Sequence, residues 1–380
     1  MKLRLGYGAT VWARGQAHHE LDGIGYYTQC LAQQLDTSQF DCVPVVFGAA
    51  DPRLNTTSIF QRPLTCVPTY KWSALRSALT GSEFSAAQTL RHEVDLFHAT
   101  DHHIPKLKGI PVVATIMDAI PLSHPEWGNA NLRWLKNKLW KKAAQWADHV
   151  MTISEFSKAE IVKHFGIPAE RISVVHLGVD PKYSQAVESN QIQKTRKKFK
   201  LQRPYFLCLG TLQPRKNIAS VWTAFKQLPP NVQSEYDLVI VGRNGWGVEA
   251  LVEQLTNQNA DSHVKWLGPV AEIDKLALLQ GATALVFPSL SEGFGLPMLE
   301  AFAAGTPVIA SNTTSLAEVS GGAALEIDPL STGEIMEGML AVSQNETLRL
   351  QMIQKGQQRS LDFTWEKCAE QTAAVYKQLA

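Results

Sequence analysis

Short apolar runs alternate with amphipathic stretches along the first half of this 380-residue chain. Runs rich in aliphatic residues, separated by turn residues, predict strands at 3–8, 43–47, 94–98, 112–116, 150–153 and 172–176. Apolar residues at the spacing of a helix face predict helices at 26–35 and 132–147. Alternating strands and helices predict a doubly wound parallel sheet.

The second half of the chain repeats this alternation. Its apolar runs predict strands at 205–209, 238–241, 264–267, 284–287 and 308–310. The helical patterns between them lie near 218–226, 248–257, 273–279 and 297–304. The predicted fold class is therefore α/β, with two Rossmann-like domains that each contain a doubly wound parallel sheet.

The length of the chain fits two domains of about 150–200 residues. We predict an N-terminal domain at 1–180 and a C-terminal domain at 201–363. Residues 181–200 are polar and basic without strong periodicity, which is typical of a linker. Apolar residues at helical spacing predict a closing helix at 364–380.

The composition of the chain limits the cellular compartments and the partners that we expect. The net charge of +1 gives no reason to expect nucleic acid as a partner. The five cysteines are scattered without a C-x-x-C pair, so we expect free thiols in a reducing, cytoplasmic compartment. Residues 1–6 predict a strand rather than a signal peptide, and no apolar run reaches 18 residues. We expect a soluble protein, or one peripheral to the cytoplasmic face of the inner membrane.

The segment 291–308 carries the strongest chemical signal, with the sequence SEGFGLPMLEAFAAGTPV. Gly293 and Gly295 lie at a loop-to-helix junction, where free amides and the lack of a side chain suit a phosphate. Glu292 and Glu300 would repel that phosphate unless they bind sugar and ribose hydroxyls. The segment therefore indicates a sugar nucleotide. A purely structural turn would explain the glycines but not the strand-like runs on both sides, which a βαβ unit explains.

A second motif is predicted to lie on the same edge of the sheet. Strand 205–209 is followed by the sequence GTLQPRKN, which places Arg215 and Lys216 at the carboxyl end of the strand. Two fixed cations can stabilise a departing diphosphate in place of a metal ion. A solvated basic turn is the alternative, and the neighbouring carboxylate motif favours the functional interpretation.

Together these motifs resemble the retaining glycosyltransferases of family 4, which have the GT-B fold. The resemblance covers nearly the whole chain and depends mainly on the pairing of 210–217 with 292–300. Shorter matches occur at 23–26, 152–158, 177–180 and 305–308. It implies two Rossmann-like domains that face each other across a cleft. The domain at 1–180 would be the acceptor side, and the domain at 201–363 would bind the nucleotide sugar. The relatives that it suggests are bacterial mannosyl- and rhamnosyltransferases of polysaccharide assembly.

The resemblance also implies roles for the donor-side residues. Arg215 and Lys216 would hold the diphosphate, and Glu300 would bind the ribose. Glu292 and the backbone of 294–295 would hold the donor sugar. Enzymes of this kind need no metal ion, so we predict neither a metal nor another cofactor. The predicted catalytic residues are Glu292, Arg215, Lys216 and Asp118.

The full set of predicted donor-binding residues extends over both halves of the chain. It comprises Gly25, Gly210, Thr211, Arg215, Lys216, Gly242, Leu267, Glu292, Gly293, Phe294, Gly295, Leu296 and Glu300. The resemblance implies that Gly25 approaches the diphosphate from the N-terminal domain. The base would contact loops near Gly242 and Leu267. Residues 12–20, ahead of Gly25, are predicted to form an irregular acceptor-side or closing loop.

One position departs from the family pattern on the acceptor side. Members often carry a His-Asp pair after the fourth strand, and this chain has Met117 followed by Asp118. Met117 cannot donate a hydrogen bond or exchange a proton. Asp118 and Tyr26 are predicted to lie on the acceptor side, and His102 or His103 could supply a substitute imidazole. Taken alone, each histidine fits an ordinary loop or core residue better than a catalyst.

Residues 131–146 form the most basic stretch, and their apolar residues fall on one predicted helix face. Packing against the core with a solvated basic face is one interpretation. The other is a peripheral contact with an anionic membrane, because Trp with Lys and Arg is the composition of interfacial helices.

The predicted function is the transfer of a hexose, with retention, to a saccharide or lipid-linked saccharide. Resemblance alone points to mannose or a related sugar from a GDP-sugar as the donor. One alternative is an enzyme of the same fold with a different reaction. It would transfer a hexose from a UDP-sugar, or it would be a nucleotide-sugar hydrolase or epimerase. The other, motivated by Met117, is a non-catalytic protein that binds a sugar nucleotide.

Overall fold

The structure, a computed structural model, describes residues 2–18, 21–50, 59–127, 133–257 and 262–380. The chain divides into two compact units. The first comprises Met1–Gly178 and Trp365–Ala380, and the second comprises Val179–Thr364.

Among its described residues, the first unit contains seven strands and seven α-helices before the chain passes into the second. The strands are β1 (Leu3–Gly8), β2 (Phe40–Phe47), β3 (Thr65–Val67), β4 (Leu96–Ala99), β5 (Val112–Thr115), β6 (His149–Thr152) and β7 (Ile172–Val174). The helices are α1 (Thr10–Ala17), α2 (Gly23–Gln34), α3 (Tyr70–Thr80), α4 (Ala86–Glu93), α5 (Ile120–Ser123), α6 (Arg133–Ala144) and α7 (Glu155–Phe165). The strands form one parallel sheet in the order β3-β2-β1-β4-β5-β6-β7.

The second unit repeats this arrangement, with six strands in the part of it that the structure describes. They are β8 (Tyr205–Leu209), β9 (Asp237–Val241), β10 (Val264–Trp266), β11 (Ala284–Phe287), β12 (Val308–Ser311) and β13 (Leu325–Ile327). The helices are α8 (Ser189–Lys198), α9 (Ile218–Lys226), α10 (Pro230–Glu235), α11 (Glu249–Thr256), α12 (Glu272–Gln280), α13 (Leu296–Ala303), α14 (Thr314–Ser320), α15 (Thr332–Gln344) and α16 (Glu346–Ser360). The strands are all parallel, in the order β10-β9-β8-β11-β12-β13.

Continuous apolar runs explain why the central strands lie inside. Every residue of β4, β5, β8, β9 and β11 is buried. Strands buried on both faces are typical of parallel sheets that are covered by helices on either side. These strands and the helices that cover them supply most of the hydrophobic core of each unit.

The order of strands reverses at one point in each sheet. In the first unit β1 pairs with both β2 and β4, and in the second β8 pairs with both β9 and β11. Ligands of doubly wound sheets bind beyond the carboxyl ends of the strands at such a reversal. The fold therefore selects the loops that follow β1, β4, β8 and β11 as candidate sites.

The C-terminal segment forms the predicted closing helix, α17 (Trp365–Leu379), and it packs on α2 of the first unit. Trp365 lies edge-to-face with Tyr26 at a ring separation of 6.0 Å. Tyr376 is fully buried and hydrogen-bonds to Nδ1 of His98 at 2.7 Å. Its aromatic residues explain why this helix is held by the N-terminal sheet.

Two of the sequence predictions need correction. Residues 12–20 are not an irregular loop as far as they are described, because α1 spans Thr10–Ala17, and 19–20 lie outside the described residues. The apolar side chains of Val11, Trp12 and Ala13 are buried, which stabilises that helix.

The predicted linker at 181–200 is also more ordered than its polar composition suggested. It contains a 3₁₀ turn, Pro181–Ser184, and helix α8, and both belong to the second unit. Thr195 of α8 is buried and donates to Asp274 of α12 at 2.9 Å. Lys198 forms an ion pair with the same carboxylate at 2.6 Å. Polar contacts therefore fix a helix that lacks an apolar stripe.

Candidate active site

Two neighbouring strand ends of the second unit bring the predicted donor residues together. Strand β8 is followed by a 3₁₀ turn, Pro214–Lys216, and β11 is followed by a loop that leads into α13. Since β8 and β11 are paired and parallel, their carboxyl ends lie side by side. Arg215 and Lys216 therefore lie next to Glu292, although 76 or more residues separate them in sequence.

Glu292 is held between the two cations. Arg215 Nη1 donates to Glu292 Oε2 at 2.7 Å, and Lys216 Nζ donates to Oε1 at 2.5 Å. Lys216 and Glu292 are both buried, and Arg215 is partly buried. Arg215 also donates to the carbonyl oxygen of Ser291 at 3.2 Å. The carboxylate thus bridges both cations, and we refer to Arg215, Lys216 and Glu292 as the charged cluster.

Backbone contacts hold the two loops of the charged cluster in register. The amide of Leu290 donates to the carbonyl oxygen of Arg215 at 2.7 Å. Asn217 adopts a left-handed conformation (φ 57°), and its side chain donates to the carbonyl oxygens of Pro288 at 3.2 Å and Pro329 at 2.7 Å. Ser315 donates to the carbonyl oxygen of Glu292 at 2.8 Å. The positions of the charged side chains are therefore set by the main chain.

The charged cluster contains two cations and one carboxylate. Burial alone would raise the pKa of Glu292, but the charges of Lys216 and Arg215 outweigh it and lower that pKa to about 2. Burial lowers the pKa of Lys216, and Arg215 lowers it further, while Glu292 opposes both effects. One carboxylate faces two cations, so the cluster has an excess of positive charge that an anion would neutralise.

The second predicted carboxylate, Glu300, is also paired with a cation. Lys275 Nζ of α12 lies 2.8 Å from Glu300 Oε2 and donates to the hydroxyl of Tyr183 at 2.7 Å. That hydroxyl in turn donates to Glu272 at 3.2 Å. Sequence reasoning missed Lys275 and Tyr183, because neither lies in a glycine-rich motif. Lys275 is a single polar position on an amphipathic helix, and only its contact with Glu300 marks it.

The remaining predicted donor residues form the glycine-rich surroundings of the charged cluster. A Cβ atom at Gly210 would lie 3.4 Å from Cε of Lys216, so this turn passes close to the lysine tip. A Cβ at Gly242 would come within 1.9 Å of the carbonyl oxygen of Gly210, which only glycine avoids. The loops after β8 and β9 therefore pack backbone to backbone. Thr211 follows Gly210 in the same turn.

The loop before α13 and the loop after β10 hold the other donor-side positions. Gly293 and Phe294 are buried, and Leu296 begins α13 after Gly295, which has a φ of 107°. The amide of Leu267 donates to the carbonyl oxygen of Ile240 at 2.9 Å and so extends β10 alongside β9. The predicted base contact at this loop stays a prediction.

Gly25 lies in the first unit, at the start of α2. Its amide donates to the side chain of Asp22 at 2.8 Å, which is a standard helix N-cap. The structural role of this glycine motif is therefore clear, and its predicted contact with a diphosphate stays a prediction.

The first unit contains a cavity of about 540 Å³ beyond the carboxyl ends of β4 and β5. Three of the predicted acceptor-side residues line it, namely Asp118, His102 and His103, together with Met117. The remaining lining residues are Ile24, Tyr70, Lys71, Asp101, Thr115, Ile116, Pro121, Lys136, Asn137, Leu139 and Trp140. Tyr26, the fourth predicted acceptor-side residue, packs instead on Trp365.

His103 is the most strongly positioned polar group of this cavity. Its Nδ1 is hydrogen-bonded to Oδ1 of Asp101 at 2.8 Å, and its backbone amide donates to the same oxygen at 2.7 Å. Its ring lies edge-to-face with Tyr70 and parallel to Phe47. Asp101 is buried, and its other oxygen accepts from the amide of Val11 at 3.2 Å. Because Nδ1 is occupied, Nε2 is the nitrogen of His103 that remains for a ligand.

Asp101, His102 and His103 also form a group of possible metal ligands, with ligand atoms within 4.8 Å of one another. Burial lowers the pKa of His102, which favours the neutral, metal-binding form of its imidazole. Both oxygens of Asp101 already accept hydrogen bonds from protein groups. The prediction that the chain needs no metal stays a prediction.

The comparisons with known proteins agree with this arrangement. The family description "Glycosyltransferase Family 4" matches residues 21–183, and "Glycosyl transferases group 1" matches residues 189–359. The chain is 32% identical to the O-antigen chain mannosyltransferase B of Escherichia coli over 286 residues, which are 75% of this chain and 74% of that protein.

A second relative and a solved structure extend the likeness. The chain is 29% identical, over 68% of its length, to the serotype-specific mannosyltransferase WbdA of Escherichia coli, and the match spans 32% of that protein. The crystal structure of Anabaena Alr3699/HepE in complex with UDP-glucose is similar with a TM-score of 0.75 at 18% identity, over 99% of this chain and 100% of that one. The predicted α/β fold of the GT-B class is confirmed. The chain therefore belongs to the family 4 glycosyltransferases.

Proposed function

We propose that this glycosyltransferase moves a hexose, with retention, from a nucleoside diphosphate sugar to a saccharide or lipid-linked saccharide. One observation carries the proposal: Glu292 is buried between Arg215 and Lys216 at the paired ends of β8 and β11. This is the point at which a doubly wound sheet binds its ligand.

The excess positive charge of the charged cluster supports a diphosphate as the ligand. A diphosphate between Arg215 and Lys216 would accept charge-assisted hydrogen bonds from both cations, and such bonds are stronger than those between neutral groups. Negative charge develops on the diphosphate as the bond to the sugar breaks. Fixed cations stabilise that charge without needing to reorganise, so they can take the place of a metal ion.

Lys275 would reduce the repulsion between a second carboxylate, Glu300, and the diphosphate. Its ion pair with Glu300 offsets the negative charge while Glu300 can still accept hydrogen bonds from the ribose hydroxyls. Glu292 has a corresponding role beside the sugar, since its charge is already offset by Arg215 and Lys216. Both carboxylates can therefore recognise hydroxyl groups without repelling the phosphates.

GDP-mannose is the proposed donor, and mannose is the sugar transferred. The names of two relatives, O-antigen chain mannosyltransferase B and serotype-specific mannosyltransferase WbdA, support the sugar. The second candidate is a UDP-hexose, because the similar structure of Anabaena Alr3699/HepE is a complex with UDP-glucose. The loops that contain Gly242 and Leu267 are the proposed contacts of the base.

The cavity of the first unit is the proposed acceptor site. Its aromatic side chains suit the apolar faces of a saccharide, and its imidazole, carboxylate and amide groups suit the hydroxyls. In the proposal, His103 Nε2 and Asp118 bind the acceptor, and His103 supplies the hydrogen-bonding group that Met117 lacks. His102 also lines this cavity, and Tyr26 does not. The name of one relative, O-antigen chain mannosyltransferase B, supports an O-antigen saccharide as the acceptor.

A cytoplasmic location is part of the proposal. All five cysteines are free thiols in the structure, which fits a reducing compartment. Among the described residues, no helix has both the length and the apolar composition that a membrane span needs.

The test is turnover of a panel of donors, comprising GDP-mannose, UDP-glucose and dTDP-sugars, with a lipid-linked oligosaccharide as acceptor. We expect transfer from GDP-mannose, and an NMR spectrum of the product in which the anomeric configuration of the donor is retained. Release of free sugar, or a sugar altered while still on its nucleotide, would identify a hydrolase or an epimerase. Tight binding of GDP without turnover of any donor would support the non-catalytic alternative.

A further inference from the structure

Helices α3 and α6 of the first unit pack against each other and expose large apolar side chains to solvent. Trp72, Leu79 and Trp134 are 75%, 77% and 69% exposed, and Leu75 and Leu135 are exposed as well. Single exposed apolar residues are normal, but a group of five on two adjoining helices marks an interaction surface.

The same two helices contain no acidic residue. Their sequences are YKWSALRSALT and RWLKNKLWKKAA, with two Lys or Arg residues on α3 and five on α6. The exposed cations that the structure describes on them are Lys71, Arg76, Lys136, Lys138, Lys141 and Lys142. Lys142 also joins the two helices, because its ammonium donates to the carbonyl oxygen of Ala78 at 2.5 Å. We call this basic, apolar area of α3 and α6 the two-helix surface.

We propose that the two-helix surface docks on an anionic lipid bilayer. Exposed Trp and Leu can enter the boundary between headgroups and acyl chains, while Lys and Arg remain with the phosphates. The absence of carboxylates on both helices matches the negative charge of the lipid surface. A second copy of this chain would present the same positive charge, so self-association through this surface would be opposed by repulsion.

This surface differs from the interfacial helix considered from sequence alone. That hypothesis concerned residues 131–146, of which 131 and 132 lie outside the described residues. On α6, Ala143 and Ala144 are buried and Leu139 and Trp140 pack against the core, which matches the core-packing interpretation. The apolar contribution of α3 was missed. It supplies Trp72 and Leu79, and only the packing of α3 on α6 brings them together with the basic residues.

The two-helix surface also adjoins the cavity of the first unit. Tyr70 and Lys71 of α3 and Asn137 and Trp140 of α6 line that cavity. Docking through these helices would therefore bring the cavity next to the lipid headgroups, where the sugar of a lipid-linked acceptor lies. This consequence rests on the proposed function, whereas the docking itself does not.

The experiment is flotation of the full chain with vesicles of phosphatidylcholine, with or without phosphatidylglycerol. We expect the protein to float with the anionic vesicles, to remain unbound with the neutral ones, and to be released by salt. K138Q/K141Q should bind about 30-fold more weakly, since each lysine near an anionic surface contributes about fivefold. Neither lysine lines the cavity. The matched control, K194Q/K355Q, makes the same charge change at exposed sites of the second unit and should bind like the parent.

A second pair of variants tests the apolar part of the two-helix surface. W72S/W134S should weaken flotation by about 10-fold or more, because interfacial binding scales with buried apolar area. L330S/L350S removes side chains that are 80% and 60% exposed in the second unit and should have no effect. All four variants change exposed positions, so their thermal unfolding should match that of the parent.

Three results would overturn the proposal. The first is a parent protein that does not float with anionic vesicles. The second is equal flotation of K138Q/K141Q and K194Q/K355Q. The third is a dimer in analytical ultracentrifugation that W72S/W134S dissociates, with no binding to vesicles, which would identify a second copy as the occupant. None of these measurements requires turnover, so a failure here is distinct from a failure of the proposed glycosyl transfer.

Discussion

Both candidate sites lie beyond the carboxyl ends of paired strands, yet their positions and their chemistry differ. The site of the second unit lies at the reversal of the strand order, and the cavity of the first unit lies one strand further along its sheet. In the second unit, the ends of β8 and β11 carry a buried carboxylate between two cations. In the first unit, the ends of β4 and β5 open into a cavity with a hydrogen-bonded imidazole and aromatic walls. The shared topology explains where each site lies. The side chains explain why we propose a diphosphate for one site and a neutral saccharide for the other.

The largest expected effect comes from removing charge in the second unit. K216A should lower turnover at least about 100-fold, because a fixed cation that stabilises the charge of the departing diphosphate contributes that much. E300A should lower turnover to a similar extent, because the proposed contact of Glu300 with the ribose would orient the donor for transfer. K226A provides the control, because Lys226 is an exposed lysine of the same unit. Initial rates at saturating donor and acceptor are the measurement.

Near-parental turnover of both K216A and E300A would show that the donor site lies elsewhere. Circular dichroism and thermal unfolding should accompany these rates. K216A leaves Glu292 buried with Arg215 as its remaining cation, so some loss of stability is expected. A rate loss in folded protein is the informative result.

A smaller effect is expected on the acceptor side, where no net charge is involved. H103N should keep the hydrogen bond to Asp101, but asparagine has no polar atom at the position of Nε2. The KM for the acceptor should therefore rise about 10-fold. H103Q places an amide near the position of Nε2 and should restore most of the acceptor affinity. The KM for the donor should not change in either variant. Acceptor affinity that is unchanged in H103N would leave His103 with a purely structural role.

The two units should also respond differently to acid. His98 is buried between Thr115 and Tyr376, and burial lowers its pKa to about 3. The unfolded chain binds a proton at His98 near pH 6.5, so the stability that neutral His98 contributes is lost as the pH falls through 6.5 towards 3. Between pH 7 and pH 5 this loss should be about 2 kcal/mol. Urea unfolding at several pH values, with H98Q as the comparison, measures it.

H98Q should show a flatter dependence on pH over this range than the parent, whatever its absolute stability. In the second unit the corresponding titration belongs to Glu292, whose pKa is lowered to about 2. The contribution of Glu292 is therefore lost only below about pH 4.5. Parallel pH profiles of the parent and H98Q would contradict the assignment of the acid sensitivity to His98.

The smallest expected effect is that of metal removal, which should not change turnover. Arg215 and Lys216 already supply fixed positive charge, so a chelator should leave turnover unchanged. A chelator-sensitive rate that Zn²⁺ or Mn²⁺ restores would instead direct attention to Asp101, His102 and His103 in the first unit.

The sequence predicted most of the central strands and the two motifs that form the charged cluster, because buried parallel strands and glycine-rich turns leave local signals. Strands β3 and β13 have three residues each and are too short to show a period. Helix α8 was missed because its stability comes from Thr195 and Lys198 on Asp274, which are tertiary contacts. Local patterns do not contain that information.

Most side-chain contacts within the two sites could not be predicted from the sequence either. The residue types of the charged cluster could be named from sequence, and adjacent strands brought them to one edge. The pairing of Glu292 with both cations could not be predicted, because the resemblance implied a sugar as its partner. Lys275 and the hydrogen bond between His103 and Asp101 became apparent only from the geometry. Side-chain partners depend on packing between segments that are far apart in sequence.

Calorimetric titration with a nucleoside diphosphate and the matching monophosphate tests the central claim most directly. GDP and GMP should be compared first, and UDP and UMP second, with the parent protein and K216A. If the charged cluster holds the diphosphate, the parent should bind the diphosphate about 10-fold or more tightly than the monophosphate, and K216A should abolish the difference. Equal affinity of the parent for both nucleotides, or an undiminished preference in K216A, would contradict the account.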